Sequence, residues 1–329
     1  TASAGAVNLT FTGGAGNDTI GLGGTYTSAD VLNGAGGTDT LSVNSAGAAA
    51  TAAQSNVTNF EGLTVSDGLA NAVTTSRFGA ITTVNLLAGF TGAVTLTVPA
   101  SSTVNMGNQN AATDGGAVAA VIDVSGLGTT DALTLVLNDH DHGAGSFTLT
   151  GVETLNLQSN VQLTSGTAAD AGANVFGGAL TLTPTFGTGT INVTGSDHLT
   201  FTGATTAGTI AAGSFTKNVT FTATSLPAGG VSITTGSGND TIIGSAGPDL
   251  LNSGTGTNAV DGVTGVDNIT LGAAVDTLRI TNMNATGADR KLVTSFTAGS
   301  GGDVLNVTPN FGGGGASSLD GSDNFATAT

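Results

Sequence analysis

Between Thr235 and Arg279 the chain runs through five consecutive nine-residue frames. Each carries glycine or another small residue early and an acid or amide at the sixth place: Asp240, Asp249, Asn258, Asp267 and Asp276. An aliphatic residue follows at the eighth: Ile242, Leu251, Val260, Ile269 and Leu278. The pattern stands complete once more at Gly13–Gly21, with Asp18 sixth. It recurs nearly intact at Gly34–Ser42 with Asp39 and at Ala298–Asn306 with Asp303, and partially around Asp197 and Asp323. Carboxylates in glycine turns suit a hard cation. Calcium takes carboxylate and backbone carbonyl oxygens at about 2.3–2.6 Å, and glycine lets a turn curl through positive φ so that its carbonyls are presented. The candidate ligands are therefore Asp18, Asp39, Asp240, Asp249, Asn258, Asp267, Asp276 and Asp303. The turn backbone at Gly14, Gly16, Gly236, Gly238, Gly247 and Gly265 joins them, and Ca2+ is the implied cofactor. Asn258 puts a neutral amide where a charged ligand belongs, which weakens its position.

Other chemistry-bearing groups carry less. Asn138-Asp-His-Asp-His-Gly143 reads first as a polar loop between strands at Leu133–Leu137 and Phe147–Thr150. If it holds an ion, Asp139 and Asp141 are its hard ligands, and His140 and His142 point to zinc or nickel. His198 follows Asp197, but no serine stands in a nucleophile elbow. With one tyrosine and no tryptophan there is little aromatic lining for a carbohydrate cleft. Nothing in the sequence makes an enzyme.

The elements that position the turns are strands. Val94–Val98, Leu180–Thr183, Leu199–Thr202 and Val219–Thr222 alternate apolar residues with threonine, the period of a half-buried strand. Gly, Asn, Asp and Ser clusters interrupt these runs every ten residues or so, as in a solenoid. The best helical candidate is Ala46–Asn56. Thr38–Val43 matches Thr130–Leu135, and Asn59–Val65 matches Gly151–Leu157 in the same register. The chain's two glutamates, Glu61 and Glu153, thereby fall at one place in a duplicated strand–turn–strand unit and read as structural.

Composition narrows the class. The 329 residues hold 54 glycines, no cysteine, and 22 acids against five cations, for a net charge of −17. Five cations cannot make the basic footprint that nucleic acid requires, and without cysteine there is neither disulfide nor thiolate metal site. Only two acids are glutamate, which places the carboxylates in turns, where aspartate's short side chain bonds its own backbone. No apolar run reaches the roughly 20 residues of a membrane span. The start lacks methionine and a signal-peptide layout, as in a processed chain or a fragment.

The nine-residue frames resemble the RTX nonapeptide, which binds Ca2+ in a parallel β-roll. Thr235, Ser245, Pro248, Ser253, Val263 and Ala274 depart from its consensus. In that roll two nonapeptides complete one coil, and frame i lies beside frame i+2. The resemblance thus pairs Asp249 with Asp267 and lines Asp240, Asn258 and Asp276 along the other side. Through Gly13–Gly21, the 235–279 tract and Gly299–Leu305, the chain resembles type I-secreted, RTX-containing bacterial surface-layer (S-layer) proteins. The resemblance implies an extracellular, cell-surface lattice of identical subunits that calcium folds and bridges, with a cell-surface glycan or lipopolysaccharide as a further partner. The competing class is the RTX portion of a secreted adhesin or hydrolase. The expected fold is all-β: a parallel β-roll or β-helix-like solenoid with calcium-binding glycine–aspartate turns and further β-rich segments. Its expected organisation is an RTX-like segment over 1–45, a Thr/Ala/Gly-rich region over 46–234, the nonapeptide roll over 235–279 and a last β segment over 280–329.

Overall fold

Alternation places one set of side chains inward, and parallel stacking sets like on like. Leu41 pairs with Leu63, Leu63 with Val84, Val84 with Val104, and Leu135 with Leu157, all buried. The result is a parallel β-solenoid of about 11 turns, seen in a computed structural model that describes residues 8–49, 56–107, 118–126, 128–161, 173–223, 229–281 and 289–307. Asp323 lies outside the described residues, as do 50–55 of the expected helix Ala46–Asn56. That helix is a single turn, Ser45–Ala48, whose Gly47 N–H is capped by the Asn44 side chain at 2.8 Å.

Among the described residues one wall is a sheet of 13 parallel strands running from Thr19–Gly23 to Arg290–Thr294. The rest of each coil, among the described residues, joins a three-strand sheet near the start, a five-strand sheet from Val73–Thr74 to Leu180–Thr183 or an eight-strand sheet from Asp141–His142 to Val304–Val307. The last two both take strands from between Asp141 and Thr183. The long wall is continuous across residues 45, 235 and 280, since Val43 pairs with Val65, Ile233 with Leu251 and Ile269 with Val293. Among the described residues no helix is long and apolar enough to cross a membrane.

Coil length varies, and side chains adapt to it. Equivalent residues are 18 apart in the nonapeptide tract, 21 or 22 near the start and 36 between Asn156 and Asn192. Asparagine amides ladder along the walls, Asn105 to Asn85 at 2.8 Å and Asn192 to Asn156 at 3.0 Å. Inside, the rings of Phe176, Phe201 and Phe221 stack at 5.3 and 4.9 Å. Such a column gives the interior an axial register that aliphatic side chains alone would leave looser.

The duplicated unit is real in three dimensions. Glu61 Oε2 accepts the Asp39 N–H at 2.9 Å, and Glu153 Oε2 accepts the Asp131 N–H at 3.1 Å. Each glutamate N–H returns a bond to the carbonyl of the same aspartate. Both glutamates are thus structural.

Candidate metal centre

The sixth-position side chains form two ladders along the flanks of the C-terminal coils. On one flank Val231 N–H donates to Asp249 Oδ1 at 2.8 Å and Asp249 N–H to Asp267 Oδ1 at 2.9 Å. On the other, Val219 N–H donates to Asp240 Oδ1, Asp240 N–H to Asn258 Oδ1, Asn258 N–H to Asp276 Oδ1 and Asp276 N–H to Asp303 Oδ1, all at 2.8–2.9 Å. Asp18, Asp39 and Glu61 repeat the arrangement near the start, Asp18 N–H reaching Asp39 Oδ1 at 2.7 Å. The fifth position runs the opposite way: Asn17 Oδ1 accepts from Thr38 N–H, and Asn239 Oδ1 from Thr257 N–H. Nine residues make half a coil, so frames two apart touch. Asp249 meets Asp267, while Asp240, Asn258 and Asp276 share the other flank.

One carboxylate oxygen per residue serves this ladder. The second oxygen distinguishes the sites. In the first kind of turn it accepts a backbone N–H from within its own turn: Gly14 to Asp18, Ser245 to Asp249 and Gly272 to Asp276, at 2.7–2.8 Å. Thr297 N–H closes Asp303 in the same way at 2.7 Å. In the second kind that N–H is turned away. The residue four before the ligand has φ of +73° at Ala35, +65° at Gly254 and +60° at Val263. Its N–H goes instead to Asn33 Oδ1, Asn252 Oδ1 or Asp261 Oδ1.

The three second-kind turns resolve the deficit differently. Asn258 needs no donor there, because its amide donates to Gly256 O at 3.0 Å. Asp267 takes the Lys291 ammonium at 2.5 Å. Asp39 Oδ2 is buried with no donor at all. Asp240 Oδ2 is buried without a hydrogen-bond partner of its own; the neighbouring Thr235 hydroxyl lies 2.9 Å from Ser253 O and also favours the Asp240 carboxylate. Asp39 is 0% and Asp240 2% exposed. Burial raises the Asp240 carboxyl above the ordinary carboxylate value, against the opposing pull of Val219 N–H and of the Thr235 hydroxyl, as desolvation of a charge does.

Backbone carbonyls of the adjacent coil approach the glycines of both turns. A Cβ on Gly34 would stand 2.0 Å from Asn59 O and 2.4 Å from Asp39 Oδ2. Only glycine fits this point, where its own Cα–H faces the two oxygens; Gly13 beside Asp18 and Gly244 beside Asp249 make the same close approach. In the Asp240 turn, Gly236 and Gly238 lie against the carbonyls of Phe215 and Lys217 in the preceding coil. An all-oxygen donor set with an orphaned buried carboxylate matches the chemistry of calcium. Among the described residues no three His, Cys, Asp or Glu side chains gather at one point, so backbone carbonyls must complete any coordination shell.

The remaining candidates are placed as follows. Gly14 serves as the N–H donor of a closed turn, and Gly16 is exposed at its turn tip with open space where a Cβ would stand. Gly247 and Gly265 stack, Gly247 O lying 2.4 Å from where a Gly265 Cβ would stand. The Asp139–His142 segment is not a polar loop. Asp141–His142 is a short strand with Asp141 exposed and both flanking rings buried. Alternation points the histidines and Asp141 to opposite faces, so the four side chains do not converge. His140 Nδ1 lies 3.3 Å from Gly107 O, while Nε2 of both rings is buried without a partner. Burial, with His142 adding to it, pulls His140 down to about 4, and burial lowers His142 as well.

Sequence reading missed Lys291 and the diverting side chains Asn33, Asn252 and Asp261. The diverters carry a signal, an Asx residue six places before the ligand. Lys291 carries none at the 18-residue spacing, because its coil is 24 residues long. Compared with known proteins, the chain matches no protein-family model, no curated protein and no solved structure.

Proposed function

We propose that this protein is a calcium-dependent structural protein that self-assembles into a surface layer on the outside of a bacterial cell, reached by type I secretion. The observation that carries the reading is the pair of buried, donorless carboxylate oxygens on Asp39 and Asp240. A buried charge without a partner costs several kcal/mol, and these two stand in turns otherwise furnished with oxygens. Asp39 Oδ2 with Asn59 O, and Asp240 Oδ2 with the carbonyls of its own and the preceding coil, are the groups that would hold the ion. Calcium would supply there the positive charge and oxygen coordination that the turns do not provide for themselves. At about 100-fold excess over its Kd, each such site adds roughly 2.7 kcal/mol to stability.

Two further features support the structural part. The acidic chain resembles RTX surface-layer proteins in its nonapeptides, and a solenoid offers the same side-chain rows coil after coil for contacts between copies. Among the described residues the long wall ends in the unpaired edges of Thr19–Gly23 and Arg290–Thr294, and such edges readily recruit another chain. A cell-surface glycan or lipopolysaccharide is the proposed anchor.

Electron microscopy of the purified full chain tests the reading. Ordered sheets should form in millimolar calcium and disperse in chelator, and the Asp39→Asn/Asp240→Asn variant should lose that dependence. Absence of any ordered assembly in calcium would defeat the lattice; equal assembly in chelator would defeat calcium's part in it.

A further inference from the structure

Asp267 sits in a second-kind turn, so its own backbone leaves Oδ2 without a donor, as happens at Asp39. Yet Oδ2 is not orphaned, because Lys291 reaches it from the next coil. In the parallel register Lys291 pairs with Asp267, so it stands where another ladder aspartate would stand. Its ammonium lies 2.5 Å from Asp267 Oδ2 and 3.3 Å from Gly265 O. Its side chain is only 6% exposed. Arg290 N–H to Gly265 O at 3.0 Å and Gly265 N–H to Asp289 Oδ1 at 2.8 Å fasten the backbone on which it is carried. One carboxylate oxygen and one turn carbonyl, both drawn from a glycine–aspartate turn, are the donor kinds that calcium takes.

We infer that the Lys291 ammonium is a tethered cation that fills the last cation position of the Asp249–Asp267 flank and so removes it from the calcium-binding set. The inference rests on the calcium reading above for what would otherwise enter. It assigns the aspartate turns of the nonapeptides three outcomes, the neutral Asn258 standing apart: closed by their own backbone, filled by a lysine, or left for an external ion. Lysine suits the task because its ammonium is a compact point charge with three donors on a flexible stem. At the Asp267 coil the fold is then independent of calcium supply.

The test compares the full chain with Lys291→Met, which keeps the length and apolar stem but removes the charge. In chelator, Lys291→Met should melt well below the parent chain. At about 10 mM calcium, a large excess over an extracellular-type Kd, it should recover and bind one more calcium per chain in equilibrium dialysis. The double variant Lys291→Met/Asp267→Asn, which removes both charges, should keep the parent stoichiometry. A folded Lys291→Met with unchanged stoichiometry, or one that calcium fails to rescue, overturns the inference. If the parent chain binds calcium in that result, the calcium reading survives. If neither chain binds calcium, both readings fall together. An extra ion in Lys291→Met with none in the parent supports the tethered cation and removes Asp39 and Asp240 as sites.

Discussion

The turns of Asp240 and Asp249 are consecutive in sequence, opposite in space and alike in motif, but they differ in what reaches the carboxylate oxygens. Asp249 Oδ2 accepts Ser245 N–H at 2.7 Å and Oδ1 accepts the Ser245 hydroxyl at 2.6 Å, beside the Val231 rung. Asp240 has the equivalent rung from Val219 but nothing on Oδ2. Both are buried. The difference teaches that the aspartate of such a nonapeptide is first a ladder rung, and that turns alike in motif differ in whether the local backbone supplies a donor to its second oxygen.

The comparison can be broken most forcefully at Asp249. Replacing it with alanine leaves Val231 N–H and Ser245 N–H without a charged acceptor, at roughly 1.5–3 kcal/mol each. Denaturant unfolding of Asp249→Ala should show a loss of about 4 kcal/mol, equal in calcium and in chelator. A loss confined to calcium-containing buffer would make Asp249 a ligand instead.

Acid separates the two kinds of buried group. The folded His140 value of about 4 lies below the ordinary 6.5, so the fold holds the neutral ring. Its contribution is complete above about pH 6.5 and is lost as pH falls from there toward 4, by about 3 kcal/mol. Asp240 runs the other way. Its raised value means the fold prefers the neutral acid, so its cost at neutral pH is relieved as pH falls through that raised value. Thermal midpoints against pH should therefore fall less steeply in His140→Gln than in the parent chain, and more steeply in Asp240→Asn. Parallel curves for all three would contradict both assignments.

Asp240→Asn sharpens the comparison at a smaller scale. It should melt at or above the parent in chelator, since a donorless charge is gone, and should forfeit a calcium-dependent gain of about 1.4–2.7 kcal/mol. The smallest effect belongs to Glu61→Gln. Its amide oxygen can still accept the Asp39 N–H, so unfolding should shift by about 1 kcal/mol or less, without change in calcium response.

Much of this was legible in advance. Alternation in Val94–Val98 or Leu180–Thr183 marks strands because each has a wet and a dry face, and those strands are present at Thr95–Pro99 and Leu180–Thr183. The resemblance to the RTX nonapeptide, in which two frames complete one coil, anticipates that Asp249 meets Asp267. The histidines were misread because the buried series Leu133, Leu135, Leu137 extrapolates to Asp139. Asp139 adopts a φ of +55°, which resets the alternation and turns His140 and His142 inward. Lys291 was hidden for a related reason. Its partnership with Asp267 depends on a 24-residue coil that breaks the repeat used to find the others. The donorless state of Asp39 could not be read from its motif, because it follows from the positive φ of Ala35, a residue most conformations would not place there.

The central claim is that the open oxygens of Asp39 and Asp240 define the calcium sites while the closed and lysine-filled turns do not. Equilibrium dialysis of calcium against the full chain and Asp39→Asn/Asp240→Asn addresses it directly. The account predicts that the double variant binds two fewer calcium ions per chain, while Asp249→Asn and Asp276→Asn bind as many as the parent. Unchanged stoichiometry in the double variant, or a loss in the other two, would contradict it.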